Sequence, residues 1–275
     1  MNDLDIGSFS DNRPLLRWPR PVRIVSWNVN RGLRLADVLQ FLVASSADLV
    51  LLQETDVNAR RTQYVNVPRT IAEVLKMNYV FGREFEELAQ STGSSPALHG
   101  QATLSRFPLT NSRILRFRSQ SGFWRPRWFI PNLQPFQRRR GARMALVSDI
   151  RIQNRTMVLY NAHLESRGNH ELRYSQFSEI LSDVKNQVGN GHVIAGGDMN
   201  FNVSEYPATA MIARAGLQCP FAHLKGKKTV QVRRAADSGA IDWIFTDQSL
   251  ATAAPQIHDC ARGSDHYPLS LEIYP

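Results

Sequence analysis

Apolar positions along the chain fall into two spacings. Short runs rich in branched and aromatic residues, at 22–29, 48–52, 79–86, 101–107, 142–152, 156–164, 192–196, 241–246 and 267–274, have the length and composition of strands. Between them lie stretches with apolar residues at helical intervals. Residues 33–44 carry Leu35, Val38, Leu39, Leu42 and Val43 at that spacing, and residues 171–188 carry Phe177, Ile180, Leu181 and Val184. Shorter helices are predicted near 70–76 and 205–215. The first elements read as strand, helix, strand. Many strands with interleaved helices predict two packed sheets with helices outside, an α/β sandwich.

The segment from about 118 to 141 breaks this rhythm. It holds Pro126, Pro131 and Pro135, with Phe123, Trp124, Trp128, Phe129 and Phe136 set among arginines. Strands on both sides belong to one expected core, so this segment reads as a basic, aromatic surface insertion in a single domain spanning residues 1–275. The composition, 43% hydrophobic and 21% charged, suits one sizeable core and excludes disordered or repetitive classes. No apolar run approaches the roughly 18 residues of a membrane helix, and the first residues lack the basic and apolar blocks of a secretory signal. Cys219 and Cys260 are too few for a disulfide framework and are expected as reduced thiols. A cytoplasmic location is the expectation that fits.

Charge is unevenly spread. The net charge is +9, and between Leu88 and Ser148 there are ten arginines without one Asp or Glu, while the rest of the chain is close to neutral. A local basic field of this kind predicts a polyanionic partner, nucleic acid or an anionic membrane surface.

Candidate chemistry sits where strands end. Asn28 closes the first long run, Glu54 follows the second, Asp198 and Asn200 follow Gly196-Gly197, and Asp265-His266 precede the last strand; His163 and Asp242 join them. Taken singly, each has an ordinary structural reading, such as a solvated strand end, an Asx turn or a hydrogen-bonded histidine. Their weight lies in the set. Ligands in α/β folds gather beyond strand ends, and this set offers hard oxygen donors, two imidazoles and no thiolate. Such donors favour Mg²⁺, with Mn²⁺ able to substitute, over zinc, and point to phosphoester hydrolysis. Competing motifs are poor: there is no P-loop and no GxGxxG, and His170-Glu171 lacks the second histidine of a zincin.

The strings SWNVN (26–30), LLQET (51–55), GQATLSRFPL (100–109), NAHLES (161–166), GGDMN (196–200), IDWIF (241–245) and SDHYPL (264–269), in this order over nearly the whole chain, resemble the endonuclease, exonuclease and phosphatase superfamily. That resemblance implies a four-layer α/β sandwich of two mainly antiparallel sheets flanked by helices. It further implies Glu54 as the principal metal ligand, with Asn28 beside it and Asp265 near the ion. Asp198 would orient the attacking water, whose proton would go to Asp198 or to His266; Asn200 would donate to the phosphate or the nucleophile, and His163 would contact the phosphate. His266, paired with Asp242, would stand at the scissile phosphate. The abasic-site branch follows its metal-binding Glu with Thr-Lys, whereas Glu54 here is followed by Thr55-Asp56.

The substrate is less legible. The insertion reads as a solvated loop with buried anchors, as a nucleic-acid groove in which Arg125 and Arg127 meet phosphates and Trp124 and Trp128 stack on bases, or as a lipid-surface contact. The leading expectation is a Mg²⁺-dependent nucleic-acid phosphodiesterase, monomeric by default. The alternatives are a phospholipid or sphingomyelin phosphodiesterase or inositol-type phosphatase at a membrane surface, and a non-catalytic polyanion-binding module.

Overall fold

Runs of β-branched and apolar residues become strands here because both faces of each are covered, one by a facing sheet and the other by helices. The computed structural model describes residues 3–10, 20–92, 95–122, 138–187, 191–224, 226–231 and 239–275. In chain order the first half contains β1 (Leu4–Ser8), β2 (Val22–Arg31), α1 (Leu35–Ser45), β3 (Leu49–Val57), α2 (Val67–Leu75), β4 (Asn78–Glu86), β5 (Leu98–Ser105) and β6 (Leu109–Arg116). The second contains β7 (Arg140–Gly141), β8 (Met144–Ile152), β9 (Arg155–His163), α3 (His170–Gln187), β10 (His192–Asp198), α4 (Ala208–Arg214), β11 (Leu217–Gln218), β12 (Asp242–Asp247), β13 (Ala251–Ile257) and β14 (Leu269–Tyr274).

Two sheets result. One has the order β1-β4-β5-β3-β2-β14-β13, with β7 added to β4; the other has β11-β12-β10-β9-β8-β6. Pairing is antiparallel except for β2 with β3 and β9 with β10. Those two parallel pairs are the ones joined through α1 and α3, since a parallel return needs a crossover. Helices α1 and α2 pack on the outer face of the first sheet through Val38, Leu42, Val67, Ile71 and Leu75. Phe177, Ile180, Leu181 and Val184 of α3, with Ile212 of α4, belong to the core cluster of the second sheet.

Strand periodicity then decides which side chains enter the space between the sheets. Along β2, Val25, Trp27 and Val29 pack with the helices, which turns Ser26 and Asn28 toward the other sheet. Along β3, Val50 and Leu52 face the helices, while Leu51 reaches Gly196 of β10 and Gln53 reaches Asn161 of β9. The amide of Asn161 donates to the carbonyls of Leu52 and Ala102 at 3.0 and 2.9 Å and accepts from Gln53 at 2.8 Å. These polar contacts cross the interface between the sheets close to Asn28, the register partner of Gln53, and two residues before His163.

Besides the two-residue strands β7 and β11, three longer strands, β1, β6 and β13, were not expected from the sequence. These three lie at sheet edges, and their side chains are half-buried or exposed. Strand β13 also contains Pro255 and a bulge between Ala253 and Gln256, so it has neither a clean alternation nor a continuous apolar run. The two cysteines are unpaired. No helix among the described residues is long and apolar enough to cross a membrane.

Asn161→Ala strips hydrogen bonds from two buried carbonyls and from Gln53. The expected cost is about 3 kcal/mol, the order set by leaving buried polar groups unsatisfied, read as a lower urea midpoint with an unchanged slope.

Candidate active site

Gly196 and Gly197 end β10 in a conformation that only glycine serves at Gly197, where φ is +137° and a β-carbon would collide with the Ala162 carbonyl. This close approach sets Asp198 level with His163 on one side and Asp242 on the other. Asp198 is buried. Its Oδ1 accepts from the Asn200 backbone N–H at 3.0 Å, and its Oδ2 accepts from Asn28 Nδ2 at 3.1 Å. The same Oδ2 lies 3.5 Å from His163 Nε2 and 3.8 Å from His266 Nε2. Asn200 adopts φ +55° and donates its side-chain N–H to the Leu164 carbonyl at 3.0 Å.

His266 is held from behind. Its Nδ1 lies 2.9 Å from Asp242 Oδ2, and that oxygen also accepts from the Thr229 hydroxyl at 2.7 Å. The Trp27 indole donates to the His266 carbonyl at 2.8 Å. Burial opposes a charge on the ring, but the carboxylates of Asp242 and Asp198 override it and lift its pKa to about 10. Asp198 moves in the same direction for a different reason: burial, then the charge of Asp242, push it up to about 7. Ligand-type atoms of Asp198, Asp242 and His266 lie within 4.8 Å of one another. Because Asp242 and His266 are already bonded to each other, this trio fits proton chemistry better than a cation.

Glu54 occupies another wall. It sits at φ +51°, between register shifts on both sides of β3, and this non-glycine left-handed residue breaks the strand's alternation. Burial works against ionisation, yet the pull of His99 and Arg31 keeps its carboxyl well below the ordinary range. Its one ion-pair contact among the described residues is Arg31 Nη2, at 3.6 Å. An ionised carboxylate with lone pairs to spare suits a hard cation. Asn28 comes from the adjoining strand, where its Oδ1 accepts from the Asn30 N–H at 3.0 Å. Asp265 is exposed beside His266, and its charge also supports that ring's proton. The structure thus brings Asn28, His163, Asp198, Asn200, Asp242 and His266 into one network, with Glu54 within electrostatic reach of His163 and His266. Trp124, Arg125, Arg127 and Trp128 lie outside the described residues.

Several neighbours went unread in the sequence. Arg143 is buried, donates to Glu84 at 2.9 Å and to Ser166 at 3.1 Å, and stands 5.4 Å over the Phe85 ring. Burial and Arg143 together hold His163 well below the usual histidine pKa, so it is neutral. His99, from β5, pairs with Asp56. The acid-free basic stretch is also less isolated than its sequence implies. Arg106, Arg113, Arg116, Arg139, Arg140 and Arg143 pair with Asp48, Asp183, Asp3, Glu87, Glu86 and Glu84, all from outside that stretch.

A model of the Endonuclease/Exonuclease/phosphatase family matches residues 25–266. No curated protein matches the chain by sequence. Among solved structures it is similar to an endonuclease/exonuclease/phosphatase from Beutenbergia cavernae, at 17% identity over 92% of this chain and 71% of that one, with a TM-score of 0.66. It is similar to D. rerio TDP2 complexed with a single-strand DNA product, at 19% identity over 93% and 99% of the two chains, with a TM-score of 0.59. The human Nocturnin catalytic domain with bound sulfate aligns at 16% identity over 99% and 97%, with a TM-score of 0.64. At such identities the likeness is one of fold.

Asp242→Asn removes the charge that sustains the His266 proton, and the ring's titration, followed by histidine NMR, should fall from about 10 toward the ordinary value near 6.5. A raised folded-state pKa contributes stability that is complete below about 6.5 and lost as the pH climbs through about 10. The variant should therefore flatten that alkaline loss in denaturation curves.

Proposed function

The chain belongs to the endonuclease/exonuclease/phosphatase family, hydrolases of phosphoester bonds, and from that premise we propose that it is a metal-dependent phosphodiesterase acting on nucleic acid. The observation that carries the chemistry is a buried carboxyl beside an imidazole held from behind by a second carboxylate: Asp198 Oδ2 lies 3.8 Å from His266 Nε2, and His266 Nδ1 lies 2.9 Å from Asp242 Oδ2. Two groups whose pKa values bracket the working range make a base and a cation from one cluster. Asp198 takes the proton of the attacking water. Asn28 holds the Asp198 carboxylate in place. His266, kept charged by Asp242, offsets the negative charge that builds on the phosphoryl oxygens. His163, neutral, and Asn200 offer N–H groups to the same phosphate. The products are a phosphomonoester and an alcohol, with no covalent intermediate.

Glu54, Asn28 and Asp265 would hold the divalent cation, Mg²⁺ or Mn²⁺ in its place. When bound it would draw charge from the phosphoryl and leaving oxygens. The choice of nucleic acid rests on the net charge of +9, which favours a polyanion, and on the likeness to a TDP2 structure that contains a DNA product. The insertion at 118–141 is assigned to substrate contact through Trp124, Arg125, Arg127 and Trp128. The whole chain is read as one domain, and a cytoplasmic setting as the one its two thiols fit.

His266→Ala or Asp198→Ala, in protein that still folds, should lower turnover of a phosphodiester by about a thousandfold or more. The wild-type kcat/KM should rise with pH through about 7 as Asp198 ionises and fall near 10 as His266 loses its proton. Plasmid, single-stranded DNA, RNA, sphingomyelin vesicles and inositol phosphates, assayed in parallel with and without EDTA, test the substrate. Hydrolysis of lipid alone would reject nucleic acid, and full activity in EDTA would reject the metal.

A further inference from the structure

Arg31 stands beside Glu54 with part of its hydrogen-bonding capacity uncommitted. Strands β2 and β3 run parallel, and Arg31 is the register partner of Thr55, the residue after Glu54. Both strands leave regular pairing at this level, β2 between Asn28 and Arg31 and β3 between Leu52 and Thr55. On β2 the irregularity is a left-handed run, with φ at +44° in Asn30, +69° in Arg31 and +76° in Gly32. The Gly32 N–H closes it onto the Val29 carbonyl at 2.9 Å. Left-handed backbone is costly for a residue with a β-carbon, and such residues collect where function requires a particular direction. Here two bulges bring a guanidinium and a carboxylate to one wall, with Arg31 Nη2 3.6 Å from Glu54 Oε2.

That separation is too long for a hydrogen bond, so the contact is electrostatic. Arg31 Nη1 donates to Asn30 Oδ1, and among the described residues no acceptor takes the protons of Nε or Nη2. These two nitrogens form the side-on fork of a guanidinium, the same pair that Arg61 gives to the Asp56 carboxylate at 2.6 and 2.8 Å. Such a fork matches two oxygens of a carboxylate or a phosphate. The Arg31 side chain is 30% exposed, so its fork is within reach of a ligand. Arg139 and Arg143 also feel the Glu54 charge, but each is bound to an acid of its own, Glu87 at 2.7 Å and Glu84 at 2.9 Å. An anion brought beside the Glu54 carboxylate needs positive charge next to it, and Arg31 provides that charge in the directional form a phosphate takes.

We propose that Arg31 binds the substrate phosphate through its Nε/Nη2 edge, on the flank of the cation held at Glu54. This rests on the metal-dependent reading above and adds a substrate-binding residue to it, outside the insertion at 118–141. The placement has a consequence of two signs. A positive charge beside Glu54 opposes the cation and favours the phosphate, so its removal should strengthen one and weaken the other. A residue that merely propped the wall would, when lost, weaken both.

The test uses the full chain and two probes. Mn²⁺ alone is followed by spin resonance of the unbound ion, and inorganic phosphate added to the Mn²⁺-loaded protein is followed by calorimetry. In Arg31→Asn, whose side chain tolerates the left-handed backbone, Mn²⁺ should bind about twofold to fivefold more tightly. Phosphate should bind about tenfold more weakly, the order set by losing charge-assisted hydrogen bonds. Arg31→Lys keeps the charge without the fork, so its Mn²⁺ affinity should match the wild type while its phosphate affinity falls. Both affinities falling together in folded Arg31→Asn, or an unchanged phosphate affinity, overturns the proposal and leaves a cation at Glu54 intact. If Arg31→Asn does not fold, undiminished phosphate affinity in Arg31→Lys overturns it instead. Mn²⁺ affinity undiminished in Glu54→Gln removes the metal reading beneath it.

Discussion

The Asp198 carboxylate is shared between two sheets, and the site depends on how those sheets are held against each other. Asn28 reaches it from β2 of one sheet, while His163 flanks it on β9 of the other. A purely apolar interface between the sheets would be non-directional and tolerant of small slides. The Gln53–Asn161 contact is directional: an amide from one sheet bonds an amide of the other, and the latter also binds two carbonyls of the first. Gln53 is level with Asn28, and Asn161 lies two residues before His163, so the contact fixes the offset at which Asn28 meets Asp198. The hydrophobic layers supply the attraction, and the amides select the alignment.

Within that alignment the two walls of the site are made by different devices. The wall carrying Asp198, His163 and Asp242 follows regular pairing on β9, β10 and β12, with Gly197 allowing close approach. The wall carrying Glu54 depends on irregularity. A regular β3 would alternate strictly between helices and facing sheet, whereas the shifts at Asn28/Arg31 and Leu52/Thr55, with Glu54 in the left-handed region, give this carboxylate a direction of its own. Such a conformation is costly for a residue with a side chain and persists only where surrounding pairing imposes it.

Much of this was legible in the sequence, and the parts that were not share a cause. Central strands announce themselves because they are apolar on both faces, and Asn28, Asp198 and Asp242 stand out as polar residues at the ends or starts of such runs. The edge strands β1, β6 and β13 pack on fewer neighbours and carry mixed residues, so no periodicity marks them. His99, Glu84 and Arg143 were missed because each is ordinary in its own neighbourhood. Their meaning comes from partners on other strands, Asp56 for His99 and Glu84 for Arg143. The four residues of the insertion singled out for substrate contact lie outside the described residues.

Charge shows the same difference between order along the chain and order in space. Ten arginines without an acid between them read as a basic patch, but folding sends six to acids borne on other segments. Pairing cannot alter the total, so the net +9 is a property of the whole molecule rather than of one stretch. The buried member of this group, Arg143, has traded attraction for solvent-borne polyanions for a place among Glu84, Glu165 and Ser166. Removing a guanidinium from water is costly unless its partners are well placed, and a buried pair adds little stability of its own. What it adds is local: a fixed positive charge that, after burial itself, holds His163 well below the usual histidine pKa beside a carboxyl poised near 7. A second protonated imidazole next to Asp198 would instead favour its ionised form and pull that carboxyl down, away from the range in which it can accept a proton from water at neutral pH.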